Sequence, residues 1–238
     1  QSEYLKQILA MKVNTVNPVF IDFEKSINKV KLNSGVEVSY VQNKENNLFN
    51  LYYILDMGSN HNKMLTHAVE YLEYIGSDKF TASQLKQEFY KLGCDYGISK
   101  GEDQCYLYLS GLQENFAEAV ALFEDFIASP KQDDVALKNY IDDVLKSRQD
   151  NKLNKRYILS LMQQYAKYGA KNPSTYILSE QELKSILSVQ LTTLIKNLTG
   201  YEHRISYYGP APVAELSTVL NKFHKTPKGF QAIPQPAK

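Results

Sequence analysis

The chain has 238 residues with 27 basic and 26 acidic side chains, for a formal net charge of +1. Interspersed charges in that balance leave no basic footprint for a phosphate backbone, so nucleic acid is not an expected partner. The longest apolar runs, such as Leu51-Tyr52-Tyr53-Ile54-Leu55, fall far short of the roughly 20 residues a membrane helix needs, so a membrane is not expected either.

A chain of this length can bury roughly 70–75% of its unfolded surface without a disulfide staple. Cys94 and Cys105 are too few for a cysteine-based metal site and read as small apolar packing groups. The sequence opens on Gln1 rather than Met and shows no basic-then-apolar signal segment, which reads as a processed chain or a piece of a longer one.

In chain order, residues 4–12 carry apolar positions at helical spacing, and Asn17-Pro18 breaks the pattern. Residues 29–32 and 36–41 alternate about Asn33-Ser34-Gly35, which predicts a β-hairpin, and a third strand is expected over 48–56. Gly58-Ser59-Asn60 ends it, and a helix follows from about Leu65. Thr81-Ala82-Ser83-Gln84 is a capping-box pattern opening a second helix that stops at Gly93. Strands are expected over 94–99 and 104–111, then a helix over 115–129 ended by Pro130. From Asp133 to Lys167 the spacing stays helical, with Ile141, Val144, Leu145 and later Ile158, Leu159, Leu161, Met162 as the expected buried sides. Ser179-Glu180-Gln181-Glu182 opens short helices to about Asn197, residues 203–209 read as a strand, and 213–223 as a final helix. Strand hairpins, then helices, then a late strand predict an α+β domain with a largely antiparallel sheet packed with helices.

The chemistry concentrates on the first long helix. Leu65, Ala68, Val69, Leu72 and Ile75 form one stripe, while His67, Glu70, Tyr71 and Tyr74 fall within roughly 100° on the other side, expected to look outward. An imidazole and a carboxylate three residues apart can reach one small object. The inverted zinc signature His-x-x-Glu-His uses that geometry, with two imidazoles on the metal and the carboxylate as base. Here Tyr71 stands where the second histidine would be. His61, His203 and His224 read as solvated or locally bonded residues rather than ligands, and no other catalytic constellation is present.

The ordered set Leu32-Asn33-Ser34-Gly35, Gly58-Ser59, His67-x-x-Glu70, Thr81-Ala82-Ser83-Gln84-Leu85, Leu92-Gly93 and Tyr208-Gly209 resembles one α/β domain of the M16 peptidases, the family of insulin-degrading enzyme, pitrilysin and mitochondrial processing peptidase. The resemblance spans about residues 28–224. It leaves 1–27 as a helix and linker from a preceding domain and 225–238 as a C-terminal linker. It also implies a third zinc ligand, a glutamate on a later helix. Counting forward reaches Lys146-Ser147-Arg148, with no carboxylate at Ser147, and Asp142 and Asp143 lie about one turn earlier.

His67 and Glu70 are therefore remnants of a site whose other positions are Tyr71 and Ser147. Neither a metal nor a cofactor is expected on this segment, and the segment alone is expected to be inactive. The resemblance implies zinc in a catalytic half of the parent protein, in the same chain or a partner subunit. This domain would wall a chamber and help hold a peptide substrate. The alternative is an assembly scaffold with no part in proteolysis. A homodimer of the isolated piece is a further expectation, and a bacterial parent would favour the periplasm.

Overall fold

A computed structural model describes residues 2–12, 16–172 and 174–237. Strands β1 (Asn28–Lys31), β2 (Glu37–Gln42), β3 (Leu48–Leu55), β4 (Cys94–Lys100), β5 (Cys105–Leu112) and β6 (Arg204–Gly209) form one sheet in the order β1-β2-β6-β3-β5-β4. Every neighbouring pair is antiparallel except β2 with β6. The predicted α+β class and largely antiparallel sheet hold.

Period-two alternation sets which face is covered. Phe49, Leu51, Tyr53 and Leu55 of β3 are buried, and the register places Leu51 beside Leu109 and Tyr207, and Tyr53 beside Leu107 and Ile205. The opposite face keeps Tyr52, Tyr106, Tyr108 and Tyr208 at least partly in solvent.

The expected hairpin turn is present, with Gly35 at φ +89°, a conformation that glycine adopts without strain. Helices α1 (Glu3–Ala10) and α2 (Phe23–Ser26) bury no residue. The helix carrying His67 is α3 (Lys63–Tyr71), continued by a 3₁₀ turn to Tyr74. Next, α4 (Ala82–Lys91) opens on the expected capping box of Thr81 with Gln84.

Helix α5 (Phe116–Ala128) buries Phe116, Ala119, Val120, Phe123, Phe126 and Ile127. It is followed by α6 (Asp134–Asn151), α7 (Lys155–Tyr168), α8 (Glu180–Lys184), α9 (Ser188–Lys196) and α10 (Val213–Phe223). Cys94 and Cys105 are unpaired, and Cys105 is fully buried.

Helix α7 departs from the sequence expectation. It buries none of its residues, and Ile158, Leu159 and Met162 are exposed, Met162 at 63%. On its other side Ser160, Gln164, Lys167 and Lys171 line a hollow with Glu102 of the β4–β5 turn. Only Leu161 and Gln164 of this helix are half-buried, so it lies on the surface with most of its apolar stripe in solvent.

After α10 the chain returns along the domain. Gln231 pairs with Tyr201, Phe230 and Ile233 pack against the core, and the Ala237 N–H donates to the Asn60 carbonyl at 3.0 Å.

Candidate functional site

Asn62 caps α3 by accepting from the Met64 N–H at 2.9 Å, and the preceding turn is pinned to the β4–β5 turn through Ser59 N–H to Gly101 O and Asn60 N–H to Glu102 O. This fixes the helix on which His67, Glu70 and Tyr71 stand. The expected outward face is only half outward. Glu70 and Tyr74 are exposed, but His67 is 5% exposed and Tyr71 wholly buried, because α6 lies across them.

Tyr71 serves the backbone. Its hydroxyl donates to the Asp133 carbonyl at 2.7 Å and accepts from the Asp133 N–H at 2.9 Å. Asp133 is the N-cap of α6, its carboxylate accepting from the Ala136 N–H, so Tyr71 anchors the start of that helix. Burial holds the phenol above its ordinary value, so the phenolate that a metal would require is disfavoured.

His67 meets a residue that sequence reasoning does not single out. The Tyr140 hydroxyl donates to Glu70 Oε2 at 2.8 Å and lies 2.6 Å from His67 Nδ1. Tyr140 has one proton and it goes to Glu70, so His67 must donate from Nδ1, leaving only its Nε2 lone pair. Glu70 also faces the Lys100 ammonium at 3.8 Å. The available signal for Tyr140 is its spacing with Leu137, Ile141 and Val144 on one helical stripe.

Desolvation, then the charges of Arg148 and Lys100, push the His67 imidazole down to about 4. The unfolded chain therefore takes a proton on this ring before the folded one does. Its contribution is complete above the ordinary value of about 6.5 and drains as pH falls towards 4, up to about 3 kcal/mol. Urea unfolding at pH 7 and pH 4.5 should show that loss in the wild type, and His67→Gln should lack this share of it.

The third position is also altered. Ser147 lines a shallow hollow of about 420 Å³ with Glu70, Tyr74, Tyr140, Asp143 and Arg148. The Arg148 guanidinium donates to the Leu178 carbonyl at 2.7 Å. The same cationic field that lowers His67 opposes a divalent ion. The residues do not fit zinc: among the described residues, no group of three or more His, Cys, Asp or Glu side chains is placed to hold a metal.

The other histidines lie apart from this site. His61 accepts locally from the Gly58 N–H at 3.1 Å, as expected. His203 and His224, far apart in sequence, meet at 2.8 Å beside Glu124.

A domain of this topology, with a partial inverted zinc signature on the helix after β3, is the form of an M16 peptidase domain. The family model described as insulinase, peptidase family M16, matches residues 53–176, just over half of the chain. This protein belongs to that family.

The chain resembles a peptidase M16 inactive domain from Pseudomonas fluorescens at 20% identity and TM-score 0.72, covering 89% of this chain and 54% of that one. A mutant of the ferredoxin protease FusC, in complex with Arabidopsis ferredoxin, aligns at 14% identity and TM-score 0.74, over 97% of this chain and 27% of that one. The periplasmic protease PqqL from Escherichia coli aligns at 13% identity and TM-score 0.71, over 90% and 25%. These likenesses show the fold, and the chain spans about half or less of the structures it matches. No curated protein matches it. No described helix is long and apolar enough to cross a membrane.

Proposed function

We propose that this domain is a non-catalytic part of an M16 peptidase, walling a chamber and helping to hold a peptide opposite a zinc-bearing half. The observation that carries the reading is the commitment of Tyr71 to the Asp133 backbone, which removes a metal ligand and gives its atoms a structural task.

Two further features support the peptide-holding part. The sheet's open face carries Tyr52, Tyr106, Tyr108 and Tyr208, flat side chains with polar tips that can pack on a peptide and hydrogen-bond to it. Strand β4 is a sheet edge, and beside it lies a cavity of about 520 Å³ lined by Phe89, Tyr90, Tyr96 and Ile98. An edge strand offers unpaired backbone groups to an extended chain. The likeness to an inactive domain in Pseudomonas fluorescens, and the ferredoxin bound to FusC, accord with these roles.

The test is metal content together with cleavage. The purified domain is expected to carry zinc only in trace amounts after dialysis against it, and to leave extended peptides intact. Stoichiometric zinc, with cleavage abolished by Glu70→Ala, would overturn the reading in favour of a self-sufficient enzyme.

A further inference from the structure

Four side chains far apart in sequence form one continuous hydrogen-bonded chain inside the domain. The Tyr53 hydroxyl of β3 donates to Glu124 Oε1 of α5 at 2.6 Å. The same oxygen lies 2.7 Å from Nδ1 of His224, the residue that ends α10. His224 Nε2 faces His203 Nε2 at 2.8 Å, and His203 Nδ1 faces the Tyr201 carbonyl at 2.7 Å. Tyr53, Glu124 and His224 are buried and His203 partly so.

The protons in this chain can be counted. A carbonyl only accepts, so His203 carries a proton on Nδ1. Each of the next two links, imidazole to imidazole and imidazole to carboxyl, needs one proton between its atoms. The Tyr53 proton is its own, and burial and Glu124 hold that phenol well above its ordinary value. Three protons are thus shared by two imidazoles and one carboxyl group, and the set is neutral overall. With two protons, one link would set lone pair against lone pair and bury a net negative charge. With four, two N–H groups would face each other across the 2.8 Å contact.

The chain closes over the C-terminal segment. Phe230 packs edge-on against His203 with ring centroids 5.5 Å apart, Gln231 N–H donates to Gly200 O at 2.9 Å, and Pro236 borders a hollow shared with Asp56, His61 and the 101–104 turn.

We propose that Tyr53, Glu124, His224 and His203 form a proton-operated latch for residues 225–237, tightest when it holds three protons and loosened both by losing one and by gaining a fourth. The titratable groups facing the two imidazoles are Tyr53 from β3 and Glu124 from α5. The ions adjacent in sequence are Glu202, Lys225 and Arg204, the last paired with Asp56, and all three lie towards solvent. The fourth proton enters last at His203, which burial and the neighbouring His224 push down to about 4.

The direction follows from linkage. Released, the two imidazoles titrate near 6.5, so the open set holds three protons on average at that pH, fewer above it and more below. Closing takes up a proton on the alkaline side and releases one on the acid side. The latch therefore has a stability maximum near pH 6.5 and weakens by up to about tenfold per pH unit on each side.

The test is hydrogen–deuterium exchange at the Gln231 and Ala237 amides between about pH 4.5 and 8.5, corrected for intrinsic exchange. Wild type is expected to show protection with a maximum near pH 6.5. Glu124→Gln needs only the two protons of neutral imidazoles, so it should lose the alkaline arm and keep the acid one. His203→Gln removes the site of the fourth proton, so it should lose the acid arm and keep the alkaline one. A flat or monotonic wild-type profile, or variants retaining both arms, would overturn the proposal. Should a variant fail to fold, the wild-type profile decides alone.

Discussion

Tyr71→His, which restores the order His-x-x-Glu-His on α3, is expected to bind no stoichiometric zinc and to lower the unfolding free energy by about 2–4 kcal/mol. The phenol oxygen both donates to and accepts from the backbone of Asp133. A single ring nitrogen can do one or the other, so one backbone group of Asp133 loses its partner, and the smaller ring leaves space where Tyr71 is fully buried. The loss falls at the N-terminus of α6 and should appear there first as reduced amide protection.

The metal fails for a different reason. The two imidazoles would still lack a third ligand, Tyr140 would still sit between His67 and Glu70, and Arg148 would still place its charge nearby. Urea unfolding combined with a zinc-competition titration reads both effects. A tight zinc complex at unchanged stability would show that the helix has kept its ancestral geometry.

Gly58→Ala is expected to cost about 3 kcal/mol or more and to lower Tm by about 10 °C. A Cβ there would lie 2.3 Å from both the carbonyl carbon and the oxygen of Glu102 and 2.5 Å from the Asp103 nitrogen, all backbone atoms that cannot rotate away. The contact lies between the turn that launches α3 and the β4–β5 turn, where Ser59 and Asn60 bond to Gly101 and Glu102. Displacing one strips bonds from the other. Gly229→Ala is the matched control, since its Cβ would meet open space. Thermal unfolding of the two variants side by side checks this, and a Gly58→Ala midpoint within a degree or two of wild type would contradict it.

These two positions show what the sequence can convey. Gly58 is legible as the end of a strand, and the alternation in 48–55 and 37–42 predicts which strand residues face the core, because period two is a property of the local chain. Tyr71 is legible as a missing ligand but not as an anchor, since its partner is a backbone group 62 residues away. Tyr140 between His67 and Glu70 is hidden for the same reason. Helix α7 misleads because its apolar stripe obeys the spacing of a packed helix, while burial depends on a neighbouring element lying across that stripe, and Ile158, Leu159 and Met162 are left in solvent. His203 and His224 look ordinary singly, and their link to Glu124 exists only once α5, α10 and β6 are assembled.

The placement of β6 bears on how the molecule is made. It lies between β2 and β3 but is the last of the six strands in sequence, so the first hairpin has no edge of this sheet to join until everything between Leu55 and Arg204 has been made. Assembly of this sheet is therefore a long-range event of the slow kind, and the strand edges of β2 and β3 stay open until β6 arrives between them.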